Sequence, residues 1–279
     1  MKLILVTLFG LLALANAYEP IVRYYHESEG IAEAERIKAA ELAADFDGSR
    51  VVGGSAASLG QYPYMCGLVI TLNSGATSVC GSSLLSNTRL VTAAHCWFDG
   101  RNQARQFTVV CGSIRLFSGG TRVTTNRVQM HGSWNPNTVR NDVAVITTNN
   151  IAMNNNIARI QLASGSNNFA GSWAHVAGFG LQRDSGSIST NQVKHHVRVQ
   201  VITNAVCRNT FGSLIVDSTI CTSGAGGVGP CGGDSGGPLV TNNRLIGIVS
   251  FGSAAGCQRG FPGAYARVSS FESWIRARL

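Results

Sequence analysis

Ser235 lies in Pro230-Cys231-Gly232-Gly233-Asp234-Ser235-Gly236-Gly237-Pro238, where four glycines surround one hydroxyl. Glycine takes positive φ without steric cost, so such a stretch turns tightly and leaves the hydroxyl and nearby N–H groups uncovered. An acyl-transfer nucleophile needs that geometry. A base must take the Ser235 proton, and the tetrahedral oxyanion needs preorganised donors, for which the N–H groups of Gly233 and Ser235 are placed. A surface turn is the plainer reading of a lone Gly-Ser-Gly, but Gly-Asp-Ser-Gly-Gly-Pro specifies six positions. Two further stretches could complete the chemistry. Leu90-Val91-Thr92-Ala93-Ala94-His95-Cys96 ends an apolar strand with a histidine between small residues and a cysteine. An isolated histidine there is usually a packed core residue, yet the alanines leave room for the ring to swing toward a cleft. Arg140-Asn141-Asp142-Val143-Ala144-Val145-Ile146 opens a doubly apolar strand with Asp142. A carboxylate entering a buried strand is costly unless hydrogen-bonded. Capping the strand turn and holding the His95 Nδ1–H are equally compatible roles.

The elements that must position these residues follow from short β-branched and aromatic runs separated by Gly, Asn and Ser. They are Met65–Leu72, Ser82–Leu85, Arg89–Thr92, Phe107–Cys111, Arg122–Met130, Val143–Thr147, His175–Gly178, Lys194–Ile202, Pro238–Val240, Leu245–Phe251 and Gly263–Val268. Eleven or so strands with frequent turns predict an all-β barrel or sandwich. In this part of the chain only Ser270–Leu279 reads as a helix, with Phe271, Trp274 and Ile275 at helical spacing behind Ser269 or Ser270 as N-cap. The 229 residues after Arg50 suffice for two small barrels sharing a cleft.

Ahead of them stand two different pieces. Met1–Ala17 has one charge at Lys2, an apolar run from Leu3 to Ala15 and Ala15-Asn16-Ala17 as a small-x-small cleavage site, the pattern of a secretory signal peptide. The run is too short for a membrane span. Residues 18–50 are Ala- and Glu-rich, and Gly30–Asp45 has helix-forming composition with Ile31, Ala34, Ile37 and Leu42 loosely on one side. No cysteine ties this piece to the rest. At Arg50-Val51-Val52-Gly53-Gly54 a basic residue precedes two β-branched residues and two glycines. A cut after Arg50 would expose the Val51 ammonium, which can enter the protein only against an opposite charge; Asp234 would supply one. An ordinary linker is the alternative.

Composition narrows the classes. All eight cysteines follow residue 65, an even number in an exported chain, which argues for four disulfides. No Cys-x-x-Cys pair supports a zinc site. Residues 18–50 carry eight acidic and four basic residues, whereas residues 51–279 carry six acidic and seventeen basic, a net charge of +11. The arginines are spread singly, without a basic stripe or nucleic-acid motif, so they read as solvated surface and no nucleic-acid partner is expected. Sixteen of the seventeen are Arg. Guanidinium stays charged where lysine, with a pKa of about 10.4, begins to fail, which suggests an alkaline working pH.

Taken together, Thr92-Ala93-Ala94-His95-Cys96, Asn141-Asp142-Val143-Ala144 and Gly233–Pro238, in the order His, Asp, Ser, resemble the trypsin/chymotrypsin family of serine endopeptidases. The similarity spans residues 51–279. It implies two six-stranded antiparallel β-barrels with a shared active-site cleft and a C-terminal α-helix. It also implies Ser235 as nucleophile, His95 as base and then acid, Asp142 as orienting carboxylate, and the Gly233 and Ser235 N–H groups as oxyanion hole. Ser250-Phe251-Gly252 matches the segment that pairs with substrate backbone. The pocket base falls at Gly229 beside Pro230, with Gly252 and Gly263 at the mouth. Trypsin-like relatives carry Asp at the position of Gly229; its absence implies a neutral pocket for Phe, Tyr, Leu or Met. The bare Gly229 and Pro230 also leave an elastase-like taste open. The resemblance assigns Cys80–Cys96, Cys207–Cys221 and Cys231–Cys257, and leaves Cys66 and Cys111 for each other.

The Arg-rich balance and cysteine-free leader look most like digestive chymotrypsins of insect larvae. Residues 112–127, acidic in calcium-binding relatives, contain no Asp or Glu, so no metal or other cofactor is expected. The expected partners are protein substrates, an activating trypsin-like protease and protein protease inhibitors, for a monomer secreted into the gut lumen with no membrane contact. A non-catalytic homologue acting as a binding cofactor is the alternative outside enzymes, although all three catalytic positions are intact. An immune-cascade protease would usually carry a disulfide-rich regulatory domain, and residues 18–50 have no cysteine to build one.

Overall fold

A computed structural model of the chain describes residues 18, 20–44, 55–181, 184 and 192–279. The signal-peptide reading of Met1–Ala17 and the boundary at Arg50-Val51 lie outside the described residues.

In chain order the strands are β1 (Ser55–Ala56), β2 (Met65–Leu72), β3 (Thr77–Ser86), β4 (Arg89–Thr92), β5 (Ala104–Cys111), β6 (Thr121–Thr125), β7 (Val128–Met130) and β8 (Ala144–Thr147). They continue with β9 (Gln161–Leu162), β10 (Trp173–Gly178), β11 (His195–Ile202), β12 (Thr219–Thr222), β13 (Pro238–Thr241), β14 (Arg244–Phe251) and β15 (Gly263–Arg267). Three α-helices accompany them: α1 (Ile31–Ala44), α2 (Asn204–Phe211) and α3 (Val268–Arg276).

The first sheet runs β6-β5-β2-β3-β4-β8-β7, antiparallel throughout, and curls around Leu68, Ile70, Leu84, Leu90, Phe107 and Ile146. In the second, β11-β10-β13-β14-β15-β12 closes on itself because Val201 of β11 pairs with Thr222 of β12. This is the expected six-stranded antiparallel barrel, with β1 added outside β11 and β9 added parallel to β14. The first unit is a barrel only in its curl: among the described residues no pairing joins its end strands β6 and β7. The run expected as one strand from Arg122 to Met130 breaks between Thr125 and Val128, where Arg127 turns its carbonyl to the Thr147 N–H at 2.8 Å.

Helix α3 begins before the expected serines. Its N-cap is Arg267 without a side-chain cap, because burying Val268, Phe271 and Ile275 sets the start. Helix α2 has no counterpart in the sequence reading: two turns that bury only Cys207 and Phe211, capped by the Thr203 hydroxyl on the Val206 N–H, are too short to show a period. Helix α1 falls where composition placed it, but with a different buried face. Ala34, Ile37 and Ala40 are buried, whereas Leu42 is 61% exposed and the Glu41 carboxylate is the buried group beside it. Four disulfides form: Cys66–Cys111 between β2 and β5, Cys80–Cys96, Cys207–Cys221 and Cys231–Cys257.

Candidate active site

The three chemical stretches converge between the two sheets. His95 sits on a single 3₁₀ turn, Ala94–Cys96, directly after β4, and the Cys80–Cys96 bridge ties that turn to β3. Asp142 lies just before β8, which pairs with β4, so sheet register brings it beside the histidine from 47 residues away. Its Oδ2 accepts from the His95 ring at Nδ1 at 2.7 Å, and its Oδ1 from the His95 backbone N–H at 2.9 Å. The Ser250 hydroxyl on β14 donates to Oδ2 as well, at 2.6 Å. Asp142 is 1% exposed, and these bonds are what make a buried carboxylate tolerable there. Burial alone would pull the His95 pKa down, but the charge and hydrogen bond of Asp142, with Asp99 and Glu29 more remote, raise it above its ordinary value. An imidazolium formed during proton transfer is therefore stabilised in place.

Ser235 is held on a turn that only glycine can make. Gly233 has φ +94° and a Cβ there would stand 2.8 Å from the Gly180 backbone; Gly236 has φ +79° and a Cβ there would stand 2.2 Å from the Thr92 hydroxyl. The Ser235 carbonyl accepts from Gly81 N–H at 2.7 Å, fixing the turn to β3. Among the described residues neither the Gly233 nor the Ser235 N–H donates to another backbone carbonyl, as an oxyanion hole requires. Asp234 points away from the cleft. Its carboxylate is buried and accepts from the Gly180 and Cys231 N–H groups at 2.8 and 3.1 Å. Burial raises its pKa; His195, those two N–H groups and Arg36 pull it down by less. Val51, its expected partner, lies outside the described residues.

Gly229, Pro230, Ser250, Phe251, Gly252 and Gly263 line one cleft together with His95 and Ser235. A Cβ at Gly229 or Gly252 would meet nothing within 4 Å, so the cleft is open at both positions. The Gly263 wall is not: the Pro230 ring lies 3.0 Å from where its Cβ would be, and the Tyr265 hydroxyl 3.3 Å. Phe251 is part of an apolar cluster and packs edge-on against Phe211 at 5.5 Å. One acid reaches the rim that the sequence reading did not select. Asp184 accepts from the Cys257 and Gln258 N–H groups at 2.6 and 3.0 Å.

The N-terminal segment also enters this cleft, where the sequence placed only a detachable leader. The Ala254 N–H donates to the Pro20 carbonyl at 2.8 Å, and Ile21 bridges Ser253 in antiparallel sense, next along the chain from Ser250–Gly252. The Tyr25 ring stands edge-on to the His95 ring at 4.9 Å, its hydroxyl donating to the Val79 carbonyl at 2.8 Å. Signals for this existed in Pro20-Ile21-Val22-Arg23-Tyr24-Tyr25, an extended β-branched and aromatic run ahead of a helix.

The trypsin family model matches residues 51–275. The collagenase of Hypoderma lineatum is 39% identical over 233 residues, 81% of this chain and 86% of that protein. Trypsin, alkaline A, of Manduca sexta is 37% identical over 237 residues, 81% of this chain and 90% of that protein. The solved structure of HL collagenase superposes with a TM-score of 0.75 at 38% identity, covering 82% of this chain and 98% of that one. With that match over four fifths of its length, and a histidine, an aspartate and a serine converging in one cleft, the chain belongs to the trypsin family of serine proteases.

Proposed function

We propose that the chain is a secreted digestive endopeptidase, made as a precursor, that cuts peptide bonds after large apolar or aromatic residues. The observation that carries this reading is the His95–Asp142 pair at a cleft that Ser235 and Gly229 line together. Ser235 attacks the scissile carbonyl while His95 Nε2 takes its proton. The Gly233 and Ser235 N–H groups receive the oxyanion, and His95 returns the proton to the leaving amine; water then releases the acyl group by the same steps. Asp142 and Ser250 keep the imidazole turned toward Ser235.

The Manduca relative is named a trypsin, yet a buried substrate guanidinium without a counter-charge costs several kcal/mol. Gly229 offers none, and the Asp184 carboxylate at the rim is already engaged by two amides. Burying Phe or Leu in a neutral pocket contributes roughly 1.5–3 kcal/mol. The Pro230 ring against Gly263 favours a second, elastase-like reading, since it shortens the slot. Activation follows a cut after Arg50 by a trypsin-like protease. The Val51 ammonium then pairs with the buried Asp234, whose pKa burial holds above its ordinary value, and orders the oxyanion loop. The word alkaline in the Manduca relative's name fits the Arg-rich, Lys-poor body and a gut-lumen setting.

The test is to treat the full chain with trypsin and compare kcat/KM on peptides differing only in the residue before the cut. Phe or Leu is expected to be fastest and Arg slowest. Arg turning over fastest would refute the neutral pocket, and Ala outrunning Phe would select the elastase-like reading. An Arg50→Gln protein as active as the treated one would refute the activation step.

A further inference from the structure

The structure assigns to residues 18–44 a second role: once cut free, this segment is a reversible inhibitor that binds back into the substrate cleft of the mature enzyme. The inference rests on the reading of the cleft as a protease active site.

Four contacts form one continuous footprint. Pro20 and Ile21 run antiparallel beside Ser253–Ala254 through one bridge and an Ala254 N–H bond to the Pro20 carbonyl, and Ile21 is buried in the apolar cluster with Phe211 and Phe251. Pairing of this kind contributes main-chain hydrogen bonds whatever the side chains. Next, Tyr25 fills the space against His95, its phenol donating to the Val79 carbonyl at 2.8 Å and held well above its ordinary pKa by burial and by nearby Glu29. His26 follows, its N–H donating to Asp99 at 3.0 Å and its ring Nδ1 2.9 Å from the Ser78 hydroxyl. Last, α1 buries Ala34 and Ile37 with Val79, Leu116 and Phe179. Its Glu41 accepts from the Leu116 and Phe117 N–H groups at 2.5 and 2.9 Å. Between these, Ser28, Glu29, Ala32 and Glu33 line the cleft shared with Gly229 and Ser235.

The segment enters as substrate does but presents no bond to cut. A scissile bond must lie extended across the nucleophile. Here Tyr24 takes φ +53° and its carbonyl accepts from the Glu27 and Ser28 N–H groups at 3.0 and 3.1 Å, so the chain coils into the π-type turn His26–Gly30 beside the cleft that Ser235 lines. That Tyr24 carbonyl is occupied within the segment. Nothing covalent retains the segment after cleavage, since it has no cysteine, and its six acidic and three basic residues meet a body of net charge +11. Binding in trans therefore uses the same contacts as in the uncut chain.

The test uses full-chain protein cut after Arg50 and separated from its leader, titrated with a synthetic peptide of residues 18–44. Binding is read by fluorescence anisotropy of labelled peptide, independently of turnover, and inhibition by hydrolysis of a Phe peptide. Saturable binding, a rise in KM without a fall in kcat, and an intact peptide after incubation are expected. Tyr25→Ala should weaken binding at least tenfold while Tyr25→Phe stays within a few-fold. No binding at high micromolar peptide, or cleavage of the peptide beside Tyr24 or Tyr25, would overturn the inference. Binding without any Phe-peptide hydrolysis by the cut protein would refute the proposed specificity and leave this inference standing.

Discussion

On the proposed reading, Gly229 sets what the pocket takes by having no side chain. A Cβ at this position would meet nothing within 4 Å, and the position lines the cleft, so there is room for a carboxylate to be introduced there. Gly229→Asp is expected to raise kcat/KM for an Arg peptide by roughly 100-fold, because leaving a buried charge unpaired costs about 3–5 kcal/mol, and to lower that for Phe. The two peptides assayed side by side check this, and an unchanged ratio would mean that Gly229 does not form the base. Ser250 shows how one residue can answer to two neighbours. The sequence singled out its backbone as a substrate contact, while its hydroxyl is spent on Asp142. That second use was not legible because the partner lies 108 residues away.

At the scale of elements, the curled first sheet has open ends, and the Cys66–Cys111 bridge clasps two of its central strands. Gly67 pairs with Val110 on β2 and β5, so the bridge sits one step beyond the last hydrogen-bonded pair. Spacing alone could count these two cysteines but not join them, since four disulfides among eight cysteines permit many connectivities; it was the family resemblance that left them for each other, as the structure has them. The bridge closes a separation of 45 residues. On the chain-entropy relation such a loop is worth about 4 kcal/mol, less whatever structure the reduced chain keeps. Cys66→Ser with Cys111→Ser should lower the denaturation midpoint clearly while leaving kcat/KM near its original value, since neither residue touches the triad. Denaturant titration of both proteins measures it; an unchanged midpoint would show that the paired strands hold without the clasp.

At the scale of the whole molecule, an acidic N-terminal segment is seated on a basic body, yet its local charges oppose one another. Burial raises the Glu29 carboxyl from 4.5 to about 7; Glu33 and Asp234 add to the rise and His95 opposes it, while Arg36 lies against Glu33. A raised pKa contributes to docking fully below 4.5 and loses that contribution as pH climbs through about 7. His26 runs the other way: burial lowers it to about 4, so its contribution is present above 6.5 and lost as pH falls through 4. At pH 8 the docked segment thus carries an ionised Glu29 that works against it. Glu29→Gln in the 18–44 peptide should tighten binding at pH 8 tenfold or more, each tenfold step in an ionisation constant being worth about 1.4 kcal/mol, with no gain at pH 4.5. Anisotropy titrations at both pH values test this, and equal affinities at pH 8 would refute it.

By itself the sequence determined the three chemical stretches, the β-rich pattern and the helical composition of residues 30–45. Each of these is written in a few adjacent residues: glycines that permit one turn, alternations that fit one pleat, side chains that favour one backbone state. It could not show that Glu41 would turn inward while Leu42 faces water, that Asn204–Phe211 would coil, or that Tyr25 would lie on His95. Those outcomes depend on which surfaces meet across long stretches of chain. Only the tertiary structure decides them, because burial against a distant partner outweighs the small local preferences that a sequence displays.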